Sequence, residues 1–325
     1  MICRHQHTKD ETTTGCTSPD LVHAGRVPLS VCQRCPYLRK PISGRDYLGA
    51  SAALGVQLQR RGLKKANPKP CGGCKGNTVV WVYWEAGATS DELRYSIRSV
   101  AAHLSGVSNL VICGDRPTWW DGDFIPAKKF GSKQAKRKFG SRRYVKWCDS
   151  IAKLQRIIGS QLVTDDFLWM YDDTFILEPM SFAQIAIPRA GGSLSVSKKP
   201  VRHAWREVSR RTGVDLKHRG FPVHNYSTHY PAVYNKDKLR QTIELFDLPR
   251  NPRLIESLYQ NHHHRRPEHW RPVFQYVKRV PRDWKPRAVP VVNVGSFNAA
   301  ARAIIRPMFP EPINQEKSEL ANVGI

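Results

Sequence analysis

The sequence predicts an α/β domain set behind a small cysteine-rich module, and three observations carry this. Residues 78–84 (TVVWVYW) are β-branched and aromatic, the composition of a strand buried on both faces. Leu93, Ile97, Val100 and Ala101 then recur at helical spacing ahead of a second apolar run, 109–114 (NLVICG). Strand, helix and strand in so short a space make a βαβ unit with a right-handed crossover. Six of the eight cysteines lie within the first 74 residues, in a stretch rich in Thr, Pro, Gly and basic residues.

The boundary falls near residue 75, dividing a module and linker (1–75) from the main domain (76–325). Inside the module only 47–63 has enough Ala, Leu and Val for one amphipathic helix, and 64–75 reads as a linker. In the main domain Thr89-x-x-Glu92 has capping-box spacing. Residues 147–158 and 236–246 read as helices. The segment 165–177 (DDFLWMYDDTFIL) reads as a strand over 167–171, a turn at Asp172–Asp173 and a strand over 174–177.

Charge narrows the partners. The chain has 52 Lys and Arg against 27 Asp and Glu, a formal charge of +25. Such an excess repels itself in the folded state and points to a polyanion, nucleic acid first. No acidic residue occurs between Asp123 and Asp149, and Lys133, Lys136, Arg137, Lys138, Arg142 and Arg143 crowd that gap. They are expected to contact phosphate from a flexible, Gly- and Ser-spaced surface. No stretch reaches the apolar length of a membrane span, and residues 1–7 lack a signal core, so a cytoplasmic setting is expected, in a bacterial or phage-infected cell. In that reducing setting, paired thiols bind metal more often than they form disulfides. Cys32-x-x-Cys35 has zinc-knuckle spacing, which Cys3 and Cys16 would complete as a four-thiolate Zn²⁺ site, with His5 or His7 as substitutes, and Cys71-x-x-Cys74 is a possible second knuckle. Cys113 and Cys148 read as packing residues, and His262–His264 as a solvated basic loop.

Asp172 and Asp173 follow an apolar strand, and ligands of open α/β sheets bind beyond the carboxyl ends of strands. Two adjacent carboxylates repel unless a hard divalent cation joins them; alternatively they merely form the turn. The segment FLWMYDDTFILEP (167–179) resembles the strand–turn of GT-A glycosyltransferases and of the related Stealth sugar-phosphate transferases. DELRYSIRSV (91–100), NLVICGDRPTWW (109–120) and HNYSTHYPAVYNKDKL (224–239) are similar to further segments of those proteins, and ESLYQN (256–261) and GSFNAAARAIIRPMFP (295–310) match more weakly. The matches run in order from residue 77 to about 315.

The resemblance implies a GT-A fold, Rossmann-like with a mixed sheet flanked by helices. It also implies a nucleotide-sugar donor, UDP-sugar foremost, and Mn²⁺ or Mg²⁺ bridging its phosphates. Asp173 would be the principal metal ligand, Asp172 would contact ribose or sugar, and His229 would be a second ligand. Trp84, Glu85 and Asp115 would line the nucleoside pocket, and Arg94 and Lys153 would meet phosphate charge. A D-x-D pattern would put an Asp at position 171, where this chain has Tyr171, so coordination through a single carboxylate is implied. For the acceptor, the basic segment, the cysteine module and Trp119, Trp120, Trp147 and Trp270 favour DNA carrying 5-hydroxymethylpyrimidine. A Stealth-like enzyme acting on surface glycans and a non-enzymatic zinc-finger DNA-binding protein are the alternatives. Neither the sugar nor the oligomeric state is legible.

Overall fold

The computed structural model describes residues 76–317 apart from 89–90, 140–143, 198, 200, 265, 272 and 287–288, together with the backbone of three short strands nearer the N-terminus. Those strands, β1 (Gln6–Thr8), β2 (Thr13–Cys16) and β3 (Arg26–Pro28), form an antiparallel sheet in the order β1-β2-β3. The sequence reading placed no strand there; the Thr and Val they contain suit a pleated backbone. Cys3, Cys32, Cys35, Cys71 and Cys74, the helix expected over 47–63 and the linker lie outside the described residues, while Cys16 closes β2.

The main domain runs β4 (Asn77–Tyr83), α1 (Glu92–His103), β5 (Leu104–Ser105), β6 (Val107–Gly114), β7 (Asp123–Pro126), α2 (Ser132–Phe139), α3 (Val145–Ile158) and β8 (Asp166–Met170). It continues with β9 (Thr174–Ile176), β10 (Met180–Ser181), α4 (Phe182–Ile185), β11 (Arg189–Ala190), α5 (Ala204–His218), β12 (Ala232–Asn235) and α6 (Lys236–Leu245). Last come α7 (Ile255–His263), β13 (Glu268–His269), β14 (Phe274–Val277), β15 (Val291–Val294) and α8 (Ala299–Ile305).

The central sheet has the order β12-β8-β4-β6-β7. Strands β8, β4, β6 and β7 are parallel, and β12 closes one edge antiparallel to β8. In register, Val79 lies between Leu110 and Leu168, and Trp81 between Ile112 and Met170. Both faces are covered, which suits the continuous apolar run 79–83 rather than an alternating one. Val80, Val111, Cys113, Phe167 and Trp169 pack with Ile151, Leu154 and Ile157 of α3 and with α6 and α7. Val79, Trp81, Ile112, Leu168 and Met170 face Leu93, Ile97 and Val100 of α1 on the other side. Each such side chain contributes about 1.5–3 kcal/mol by leaving water. A second sheet, β14-β15-β9, packs Phe175, Val292 and Val294 against Phe297, Ala301 and Ile305.

Local differences from the sequence reading have physical causes. Ala101 is exposed, because α1 ends within a turn and its buried stripe closes at Val100 and Leu104. Asp91, not Thr89, is the N-cap of α1, so Glu92 occupies the first turn instead of closing a capping box, and Thr89 lies outside the described residues. A capping box does form at Ser181 and Gln184. Gly114 ends β6 at φ +138°, and a methyl there would lie 1.9 Å from the Tyr83 carbonyl oxygen. Gly114→Ala is therefore expected to lower unfolding free energy by at least about 2 kcal/mol, measured by denaturant titration.

Candidate functional site

Strand β8 carries Tyr171, Asp172 and Asp173 past the carboxyl edge of the central sheet, and the Thr174 N–H donates to the Tyr171 carbonyl (3.2 Å) to close the turn into β9. Buried Ser96 of α1 pins that turn. Its hydroxyl lies 2.6 Å from the Thr174 carbonyl and 3.3 Å from that of Tyr171, while the Trp81 indole N–H donates to it at 2.9 Å. One turn on, the Ser99 hydroxyl accepts the Ile176 N–H at 3.0 Å. From the opposite side, β15 supplies Asn293. Its amide Nδ2 donates to Asp173 Oδ1 (2.6 Å) and Thr174 Oγ1 (2.7 Å), and the Val294 N–H donates to the Asp173 carbonyl at 2.8 Å. Neither Ser96 nor Asn293 was singled out in the sequence. The readable signal for Asn293 is an amide interrupting an apolar strand, V-V-N-V.

The two carboxylates keep part of their surface in water but sit deep in the protein. Desolvation by burial, reinforced by Glu92, pushes Asp172 up to about 6. Burial and the neighbouring Asp172 push Asp173 up to about 7, against the hydrogen bond from Asn293. The two titrate as a pair. Unfolded, both would ionise near 3.8. The folded chain thus holds protons that the unfolded chain releases, and the stability this contributes is full below the unfolded value and is lost as pH rises through about 6 to 7. Cation-free protein is expected to melt at lower temperature at about pH 8 than at about pH 5.5, with Asp172→Asn flattening the difference in thermal scans.

The other residues singled out in the sequence divide into groups. Lys153 of α3 is buried beneath the site, with Nζ 2.9 Å from Asp149 Oδ2 and 3.4 Å from the Tyr83 carbonyl, and its charge partly offsets the rise at Asp172. Asp115, at the end of β6, accepts the Glu85 N–H at 2.9 Å, which fixes the two strand ends against each other. Trp84 is exposed and carries the Lys129 ammonium on its ring face. Arg94 turns elsewhere, 3.4 Å from Glu316 and with its guanidinium 4.8 Å from the Trp119 ring centroid. Arg98 makes a bidentate pair with Glu316 (2.7 Å each) and bonds the Phe309 and Pro310 carbonyls, so it ties down the C-terminal segment.

His229 borders the turn from the β12 side. Its ring centroid is 5.4 Å from that of Tyr171 and 5.2 Å from that of Tyr276, and its φ is +65°. Desolvation by its neighbours lowers its pKa, although the residue keeps an exposed surface. The Tyr171 hydroxyl donates to Glu256 Oε1 (2.6 Å), whose other oxygen accepts from Ser227 (2.9 Å). Among the described residues no three His, Cys, Asp or Glu side chains are grouped to hold an ion.

The basic segment is helical over its first half rather than a loop, because Lys, Gln, Ala and Arg between 132 and 139 are good helix formers with no breaker among them. Ala135 is buried and Lys133, Lys136 and Arg137 are exposed; the side chain of Lys138, and Arg142 and Arg143, lie outside the described residues. Nearby, Pro126, Ala127, Lys128, Ala152, Lys153 and Arg156 line a groove. Trp120 and Trp147 are core residues, since each has apolar neighbours on the sheet faces, and they offer no stacking surface. His262 and His263 are likewise not a solvated loop: they end α7, with rings 4.1 Å apart and both within reach of the Thr242 hydroxyl. Cys113 and Cys148 are buried thiols, as expected of packing residues, and burial pushes Cys113 up to about 12. No described helix is long and apolar enough to cross a membrane.

No protein-family model matches the chain, and no curated protein does. Among solved structures it is similar to the apo-form glycosyltransferase GlyE of Streptococcus pneumoniae TIGR4, at 13% identity over 59% of this chain and 44% of that one, with a TM-score of 0.29. A second GlyE structure gives 12%, 59%, 45% and 0.29. The apo form of mouse xyloside xylosyltransferase 1 gives 10% identity over 67% of this chain and 96% of that one, with a TM-score of 0.34. The chain spans less than half the length of GlyE. At these identities and TM-scores the similarities assign no activity to this chain.

Proposed function

We propose that this chain transfers a sugar from a nucleotide-sugar donor, UDP-sugar foremost, to an acceptor hydroxyl. The observation that carries the reading is the Asp172–Asp173 turn. Two adjacent carboxylates stand at the carboxyl end of a central parallel strand, held from both sides by Ser96 and Asn293 and driven towards protonation by their surroundings. That is the electrostatic state of a site built for a cation. The residues fit Mn²⁺ or Mg²⁺. Asp173 would hold it with Asp172 beside it, and Asn293, whose Nδ2 donates to Asp173 and whose Oδ1 is buried without a hydrogen-bond partner, would orient the Asp173 carboxylate. Such ions bind through one or two carboxylates together with substrate phosphates, so no three-residue cage is required. A bound cation would neutralise the diphosphate as it leaves.

The chain's own residues supply the rest. Trp84, with Lys129 on its face, and Asp115, which accepts the Glu85 N–H, would line the nucleoside pocket. Lys153 adds fixed positive charge beneath. The acceptor oxygen would bond to the anomeric carbon as the bond from that carbon to the diphosphate oxygen breaks. The hydroxyl proton leaves to solvent, and the electron pair departs with the nucleoside diphosphate. UDP release from UDP-sugar, assayed with Mn²⁺ and with excess EDTA, tests this: release is expected only with the cation.

For the acceptor we propose DNA bearing 5-hydroxymethylpyrimidine, supported by the charge of +25 and the exposed Lys133, Lys136 and Arg137 of α2. Changing those three to Ala is expected to lower the salt slope of DNA binding by up to about three. An unchanged slope, with a raised KM for UDP-sugar, would move the acceptor to a glycan. The cysteine module is proposed to hold structural zinc; metal analysis of chelator-free protein is expected to find about one or two Zn²⁺ per chain.

A further inference from the structure

Three aromatic rings form a row beside the carboxylate turn. Tyr171, tethered by its hydroxyl to Glu256, is innermost; His229 follows at 5.4 Å, and Tyr276 of β14 at 5.2 Å with its ring plane only 26° from that of the imidazole. The row ends in the open, for Tyr276 remains 42% exposed, one of few large hydrophobic side chains so placed among the described residues. Three features hold this arrangement. His229 adopts φ +65°, a left-handed backbone that is strained in a residue other than glycine. Gly295 leaves room for the ring, since a Cβ there would lie 2.8 Å from the Tyr276 hydroxyl oxygen. Register pairs Tyr276 with Asn293, the residue that holds Asp173, so the exposed ring is fixed relative to the carboxylates.

Strand order separates this row from the donor side. Trp84 and Asp115 follow β4 and β6, whereas His229 precedes β12, which flanks β8 on its other side. The Asp172–Asp173 turn lies between.

The geometry points to Tyr276, backed by the His229 ring stacked behind it, as a stacking platform for the acceptor, a pyrimidine base turned out of a DNA strand. This rests on the sugar-transfer reading and on DNA as its acceptor. The hydroxymethyl group of a paired pyrimidine lies in the major groove, and turning the base out of the stack brings it closer to the carboxylate turn; an extruded base is stabilised by stacking on flat aromatic faces. The exposed Tyr276 ring presents such a face, and every base has one to offer.

The test measures binding of a single-stranded oligonucleotide containing one 5-hydroxymethylpyrimidine, with no donor present. Tyr276→Ala is expected to weaken it by about tenfold or more, and Tyr276→Phe to stay within about threefold of the unmodified protein, because stacking needs the ring and not the hydroxyl. Independently of any variant, a fluorescent pyrimidine analogue at that position should be quenched on binding the unmodified protein. Binding by Tyr276→Ala at unmodified affinity, or binding of the analogue without quenching, would overturn the platform. So would a loss confined to a neutral oligosaccharide, which would assign Tyr276 to a glycan ring. Mn²⁺-dependent UDP release by the unmodified protein reads the sugar-transfer activity separately, so failure of either idea is recognisable.

Discussion

Asp173→Ala is expected to lower sugar transfer by at least about a thousandfold, chiefly in kcat, while leaving the fold intact. The carboxylate accepts one hydrogen bond from Asn293, and its backbone carbonyl accepts another from Val294. Removing the side chain frees the amide but keeps the backbone bond, so β9 stays in place. With no carboxylate to hold the cation, charge on the departing diphosphate goes uncompensated, a loss felt in the transition state. Because the carboxyl is held partly protonated by its surroundings, Asp173→Asn should match the native protein in stability near neutral pH or exceed it, yet lose turnover equally. Steady-state kinetics beside thermal scans would check both halves; near-native turnover in either variant would count against the site.

The second large effect concerns the floor of the site. Lys153→Met is expected to destabilise the fold by about 3–5 kcal/mol, because it strands Asp149 in a buried position without its cation. Asp149 also accepts the Phe130 N–H at 2.7 Å, so its loss reaches the loop ahead of α2. Adding Asp149→Asn should recover part of the stability, a coupling that a denaturant-based double-mutant cycle measures directly. In the single variant Asp172 loses a stabilising charge, and Mn²⁺ binding should shift to higher pH. Equal stability of Lys153→Met and the native chain would show that the pair contributes nothing.

The sequence revealed those parts of the fold whose signal is local. The run 78–84, the α1 stripe, 109–114 and the strand–turn–strand around Asp172–Asp173 all declare themselves through apolar periodicity, and β4, β6 and β8 among them form the middle of the central sheet. The antiparallel edge β12 and the strands β14 and β15 that join β9 in the second sheet were not legible, because each has only four residues and their pairing joins segments far apart in the chain, such as Asn293 with Thr174. The site divides in the same way. The carboxylates advertise themselves, but their supports are single polar residues, Ser96 and Asn293, whose importance comes from where the fold brings them. Exposure was the least readable property. Trp120 and Trp147 look like stacking residues in a basic context and are core, while Tyr276, unremarked in the sequence, stands in the open.

The most direct test of the central claim is release of nucleoside diphosphate by the full-length chain. It would be incubated with a panel of nucleotide-sugars, Mn²⁺, and both hydroxymethylated DNA and glycan acceptors. The account predicts release from at least one donor, lost in EDTA and lost in Asp173→Asn. No release from any donor, or release that persists at full rate in EDTA and in Asp173→Asn, would contradict it.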